Sequence, residues 1–320
     1  MLSTSFTRLL ECSRPIQLAP MPSIATVELA AAVSNAGGLG MIGAPLTPPA
    51  VLAAMLDDLA ARTTQPFGVS FLMPFLDQDC LDVAAQRARL VEFFYGTPDA
   101  ALVERGRAGG ALVGWQVGSA AEAQQAVEAG CDLVVAQGVE AGGHVRGTVG
   151  LLPLLEELRG AIDVPVVAAG GIGTGRAMAA ALAAGAAAVR IGTRFIAAAE
   201  SGAHPRYVEA LLAARAEDTV LTEAFSVMWP DAPHRVLRAS VAAAQDCGDD
   251  VIGETPLAGG MFPVRRLSVV CPSRGTTGRV EAMALYAGQS VGSVKRVAPA
   301  AEIVGELCDE AVRALAGGSR

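Results

Sequence analysis

The sequence predicts an α/β fold: a (β/α)8 TIM barrel of parallel strands, with a mainly helical insertion before the last barrel helix. Three observations carry that expectation. Eight short apolar runs alternate with helical patterns at intervals of roughly 20 to 35 residues, enough for a right-handed crossover to use one helix and two loops. The glycine-rich turns gather after the sixth, seventh and eighth runs, whereas an open doubly wound sheet would carry its glycine loop after the first strand. The alternation then breaks down between Glu200 and about Val280 and resumes helically near the end.

Taken in order, Ile16 to Ala19 makes a first strand closed by Pro20-Met21-Pro22. Thr26 caps a helix through Asn35, and Gly37-Gly38 ends it. Leu39 to Ile42 and Pro66 to Leu72 are the second and third strands, separated by a helix over about Ala50 to Ala61. A helix starting near Asp79 leads to the fourth, Leu90 to Tyr95, where Glu92 is out of place in a buried strand. Leu112 to Val117 is the fifth, followed by a helix over Ala120 to Ala129, and Leu133 to Ala136 is the sixth. Val164 to Ala168 and Ala187 to Ile191 complete the set, with an alanine-rich helix between them.

Residues 1–200 and 281–320 therefore read as the barrel, and 201–280 as a lobe on the substrate side. The lobe shows helical patterns at Tyr207 to Ala216 and Val236 to Ala244, then a loop-like stretch from Gly253 to Gly278. Ala282 to Tyr286 is expected to be helical again, and Ala300 to Leu315 forms a final amphipathic helix.

The net charge of -8 and pI near 5.0 argue against nucleic acid or an anionic membrane as partner. Six cysteines without a CxxC pair read as reduced residues of a cytoplasmic enzyme, holding neither zinc nor a disulfide framework. The first fifteen residues carry Arg8, Glu11 and Arg14 and no long apolar segment, so neither a signal peptide nor a membrane span is expected. The oligomeric state is open, a homo-oligomer included.

Ligands of parallel α/β folds bind at the carboxyl ends of the strands. There the sixth strand runs into Gln137-Gly138-Val139-Glu140-Ala141-Gly142-Gly143-His144. Gly142 and Gly143 let a ligand lie against bare backbone, and His144 is the only side chain in the loop that titrates near neutrality. His204, before a proline, and His234, in a Pro-rich turn, read as structural or solvated.

The loops Ala168 to Gly175 and Arg190 to Thr193 follow the last two strands, where barrels of this kind bind phosphate through free backbone N–H groups beside a helix amino terminus. Neither is a Walker loop or a dinucleotide fingerprint. A mononucleotide cofactor or a sugar phosphate remains, and flavin mononucleotide (FMN) fits best. A phosphate-binding barrel without redox activity is the alternative from another class.

The combination Ala19-Pro20-Met21, Gln137 to His144, Ala168-Ala169-Gly170-Gly171-Ile172, Gly192-Thr193-Arg194-Phe195 and Tyr286-Ala287-Gly288-Gln289-Ser290 resembles the nitronate monooxygenases. The resemblance implies FMN contacts from Met21, Gln137, Gly142, Gly143, Gly170, Gly171, Gly192 and Thr193. It adds Ser70 and Gln116 at strand ends, and Tyr286 and Gln289 on a closing helix. It makes His144 the base toward a nitroalkane, or the donor that orients a nitronate oxygen, with dioxygen as oxidant and no metal. FMN-dependent enoyl-ACP reductases and NAD(P)H:quinone reductases share the scaffold and are the alternative. Gln137 tilts toward the nitronate reading, because the enoyl reductases tend to carry an acid there.

Three departures stand out. Ser70 replaces a frequent asparagine, Val145 intervenes between His144 and Arg146-Gly147, and Thr222 to Arg238 lacks a Gly-Arg-Pro-Ala-Arg run. The last two bear on substrate.

Overall fold

A computed structural model describes residues 2–257 and 260–317. Its central sheet contains β1 (Ile16–Leu18), β2 (Gly40–Gly43), β3 (Phe67–Leu72), β4 (Leu90–Phe94), β5 (Leu112–Val117) and β6 (Leu133–Gln137). After a two-residue strand β7 (Gly143–His144) outside that sheet come β8 (Val166–Ala169) and β9 (Ala188–Ile191). The order β1-β9-β8-β6-β5-β4-β3-β2 is parallel throughout. Leu18 N–H donates to Leu39 O at 2.9 Å and Leu39 N–H to Ile16 O at 2.8 Å, which joins β1 to β2 and closes the barrel.

These strands are buried on both faces, which is why they read as apolar runs rather than alternating ones. Their helices start on side-chain caps, as at Thr26, Asp77, Ser119 and Thr174. The helix Ala100–Arg107 has no counterpart in the apolar pattern. Only Val103 and Gly106 of it are buried, and its cap, Asp99, is the one strong local signal.

The segment expected to be mainly helical is mixed. It holds helices Pro205–Ala213 and Arg238–Asp246 together with β10 (Thr219–Thr222), β11 (His234–Leu237), β12 (Val251–Leu257), β13 (Gly260–Arg265) and β14 (Thr277–Gly278). The stretch expected as loop is therefore largely a hairpin. Pro263 sits on the edge strand β13, and Pro256 lies beyond the reach of the short β14, so neither proline interrupts a ladder on both sides.

Nor is Ala282 to Tyr286 a helix. After a single turn at Val280–Ala282 the chain runs extended beside β11, with Leu237 N–H on Leu285 O at 2.9 Å and Ala287 N–H on Arg235 O at 3.2 Å. Pairing with β11 satisfies this buried backbone where a short helix would not. The helix Ala300–Leu315 packs its apolar stripe on the barrel, as expected. All six cysteines are free, and among the described residues no helix is long and apolar enough to cross a membrane.

Candidate active site

A cavity of about 460 Å³ opens at the carboxyl ends of the barrel strands. Met21, Ser70, Gln116 and Gln137 reach it from β1, β3, β5 and β6 or the turns just beyond. The backbone-rich turns Gly142-Gly143, Gly170-Gly171 and Gly192-Thr193 converge on the same space, as do His144 and Tyr286. Gln289 is the exception: its side chain is exposed outside the lining, and its N–H donates to Glu140 O at 2.9 Å. Tyr286 arrives on the extended segment beside β11, and its hydroxyl donates to Val269 O at 2.8 Å.

Beneath the cavity lies a buried polar floor that joins Ser70 and Gln116, both expected at the site, to Gln17, Glu92 and Arg190, which the sequence does not assign to it. Arg190 on β9 pairs with Glu92 on β4, their side chains 5% and 0% exposed. Arg190 also donates to Gln116 and, at 3.3 Å, to Gln17. Ser70 donates to Glu92 at 3.3 Å and Gln17 to Glu92 at 3.2 Å. A buried ion pair is tolerable only when its remaining hydrogen-bonding groups are also met, and this one is. The signal was Glu92 itself, because an acid inside a barrel requires a cation sharing the interior.

The glycines do different jobs. Gly170 and Gly171 hold φ +111° and +69°, and the N–H groups of Gly171, Gly192 and Thr193 meet no protein acceptor among the described residues. Free N–H groups on a positive-φ turn suit an anion such as phosphate. The helix end at Gly175 does not contribute, because Glu310 accepts from Gly175 N–H at 2.6 Å and Thr174 accepts from Ala177 N–H. A Cβ on Gly142 would stand 2.4 Å from Gly288 N, so that glycine lets the closing segment dock, and Gly288 N–H donates to Thr193 Oγ1 at 3.0 Å.

His144 is held from both sides. It lies on β7, in register with His234 on the antiparallel β11, and its carbonyl accepts from Gln137 Nε2 at 2.9 Å. Gln137 also accepts from Arg146 N–H, so its amide serves the loop that carries His144. The imidazole stacks on Trp229 with centroids 3.9 Å apart and an interplanar angle of 20°, and meets Tyr95 edge-on at 6.0 Å. Its Nε2 is buried without a partner. Burial, and secondarily the neighbouring His234, push its pKa down from 6.5 to about 3, so the ring is neutral at ordinary pH.

Trp229 and Tyr95 were also missed as site residues. Their signal is conformational: Tyr95 and Met228, next to Trp229, hold φ +68° and +82°, a region side chains rarely adopt and one that clusters at functional sites. The cavity thus pairs N–H donors for an anion with a mostly apolar space and one unpartnered imidazole. That combination fits a phosphate-bearing cofactor.

A family model described as nitronate monooxygenase matches residues 3–79 and 75–310. The chain is 32% identical to a nitronate monooxygenase of Pseudomonas aeruginosa over 97% of its own length and 99% of that protein. It is 32% identical to an indene-carboxyl-CoA dehydrogenase of Mycobacterium tuberculosis over 83% of its length and 75% of the other's. Among solved structures it superposes on FabK from Thermotoga maritima with TM-score 0.85 at 32% identity, covering 99% and 98% of the two chains. Nitroalkane oxidase from Streptomyces ansochromogenes gives TM-score 0.79 at 31% identity, covering 99% and 100%.

Proposed function

The chain belongs to the nitronate monooxygenase family, a flavin-dependent family of oxidoreductases, and on that premise we propose that it oxidises alkyl nitronates with dioxygen to carbonyl compounds and nitrite. The observation that carries this reading is the neutral, unpartnered imidazole of His144 among three converging glycine turns. The cofactor we assign is FMN, its phosphate on the free N–H groups of Gly171, Gly192 and Thr193, its ring among Met21, Ser70, Gln116 and Gly143. A flavin held there would supply the redox chemistry, which links oxidation of the substrate to dioxygen.

The chain's own part is positioning and desolvation. A ring that protonates only near pH 3 is a weak base but keeps one N–H to donate. That favours His144 as the group that orients a nitronate oxygen, over its role as base toward the neutral nitroalkane. Trp229 covers one imidazole face and excludes water from it. Arg190, its charge balanced by Glu92, fixes a guanidinium at the cavity floor. We assign residues 201–280 to the substrate side, because Trp229, Thr255 and Leu257 all line the cavity. Six free cysteines support a reducing, cytoplasmic setting.

A second reading, reduction of an enoyl thioester by NAD(P)H, is supported by the FabK superposition at TM-score 0.85. The test is purification, a flavin spectrum with absorbance near about 450 nm, chromatographic identification of the released flavin, and parallel assays. Nitrite from alkyl nitronates with slow bleaching by NAD(P)H is expected. Rapid anaerobic bleaching by NAD(P)H without nitrite would replace the first reading with the second.

A further inference from the structure

The outer half of the cavity has a different character from its floor. Leu46 and Val51 line it from the segment after β2, Met228 from the lobe, and Leu257 from the β12–β13 hairpin. Leu46, Val51 and Met228 are 48%, 41% and 51% exposed. Leu46 and Met228 also hold φ +53° and +82°, each costing on the order of 1 kcal/mol. The chain accepts strain at two of these positions while leaving large apolar side chains about half exposed at an open mouth. An apolar surface of this kind marks a binding site.

The charges agree. Arg190 is the only charged side chain in the lining among the described residues, and it is committed to Glu92. Nothing at the mouth would compensate a second charge on a substrate. The apolar rim is continuous with the reaction cavity, so its occupant is part of the molecule whose reacting end reaches His144.

We propose that the substrate carries an uncharged apolar tail of several carbons, laid along Leu46, Val51, Met228 and Leu257 with the nitronate carbon inward. The inference rests on the nitronate reading for the reacting group only. It distinguishes this enzyme from one built for the smallest nitronates or for ω-carboxylated ones.

The experiment is a homologous series of primary nitronates from two to eight carbons, assayed for nitrite, with the matching neutral 1-nitroalkanes titrated against the holoenzyme by tryptophan fluorescence. Trp229 and Trp115 are the only tryptophans, and Trp229 lines the cavity. Each added methylene should raise kcat/KM and tighten nitroalkane binding about threefold until the tail outgrows the mouth. An ω-carboxylated nitronate of equal length should be at least about tenfold poorer. Leu46→Ser and Met228→Ser should each flatten the series.

Nitroalkane binding that does not change with chain length would overturn the proposal even where nitronates are oxidised. Binding that tightens with length while no nitronate yields nitrite would overturn the nitronate reading and leave the apolar tail standing.

Discussion

His144 and His234 face each other across the β7–β11 pairing, ring centroids 5.3 Å apart, yet the two strands use them oppositely. On β11, His234 Nε2 accepts from Phe225 N–H at 3.2 Å, and Nδ1 lies 2.9 Å from Ala232 O, so both nitrogens are spent on the lobe's own backbone. On β7, His144 Nε2 has no partner. Burial depresses the pKa of both rings. The difference teaches that satisfaction, rather than burial, separates a structural imidazole from a chemical one.

The strongest test of that contrast is the pair of alanine variants. His144→Ala should lower turnover on nitronates by about 10²–10⁴-fold, the range for loss of a positioned catalytic group, with melting temperature and bound flavin nearly unchanged. His234→Ala should do the reverse in kind, costing about 2 kcal/mol of stability by stranding Phe225 N–H. Calorimetry and nitrite assays on both proteins read the two effects side by side. Equal stability losses in the two variants would erase the distinction.

The polar floor extends the same logic to charge. Glu92→Ala leaves Arg190 buried without its carboxylate, which should cost about 3–5 kcal/mol, as removal of one partner of a buried pair does. Denaturant titration of wild type and variant measures it. A loss below about 1 kcal/mol, the value of an exposed pair, would show that water reaches Arg190 in solution.

How much of this was legible in the sequence follows from the range of the interactions involved. The eight strands were readable because each is buried on both faces, and the glycine turns because a backbone cradle needs residues without side chains. The ion pair of Glu92 and Arg190 joins residues 98 apart in the chain, so the sequence showed the misfit of one partner and not the identity of the other. The lobe was least readable. Its hairpin and the extended run through Tyr286 are defined by pairing with distant strands, and neither shows a clean period of its own. Trp229 reached the site for the same reason, carried there by a loop whose shape the barrel and lobe set together.

Trp229 supplies a smaller and more selective test. Desolvation lowers the His144 pKa to about 3, so the unfolded chain binds the proton first as pH falls. The stability contributed by the neutral ring is complete above about 6.5 and is lost progressively as pH falls from there toward 3. Trp229→Ala admits water to the stacked face and should move the ring's titration up toward 6.5, narrowing that window. Proton NMR of the histidine ring follows it directly. An unchanged titration would assign the desolvation to Tyr95 and Tyr286 instead.

The smallest expected effect separates two adjacent glycines. A Cβ on Gly142 would meet the backbone of Gly288 and displace the closing segment, whereas a Cβ on Gly143 would meet nothing within 4 Å. Gly143 nevertheless holds φ +76°, so Gly143→Ala should cost only the conformational strain, about 1 kcal/mol. Its open side lines the cavity, where the flavin ring is proposed to lie. If so, the variant's affinity for FMN, measured by fluorescence titration of the flavin-free protein, should fall by more than the stability change accounts for. An affinity that tracks stability would mean that the bare backbone at Gly143 serves the turn alone, and that the ring rests on the residues opposite it.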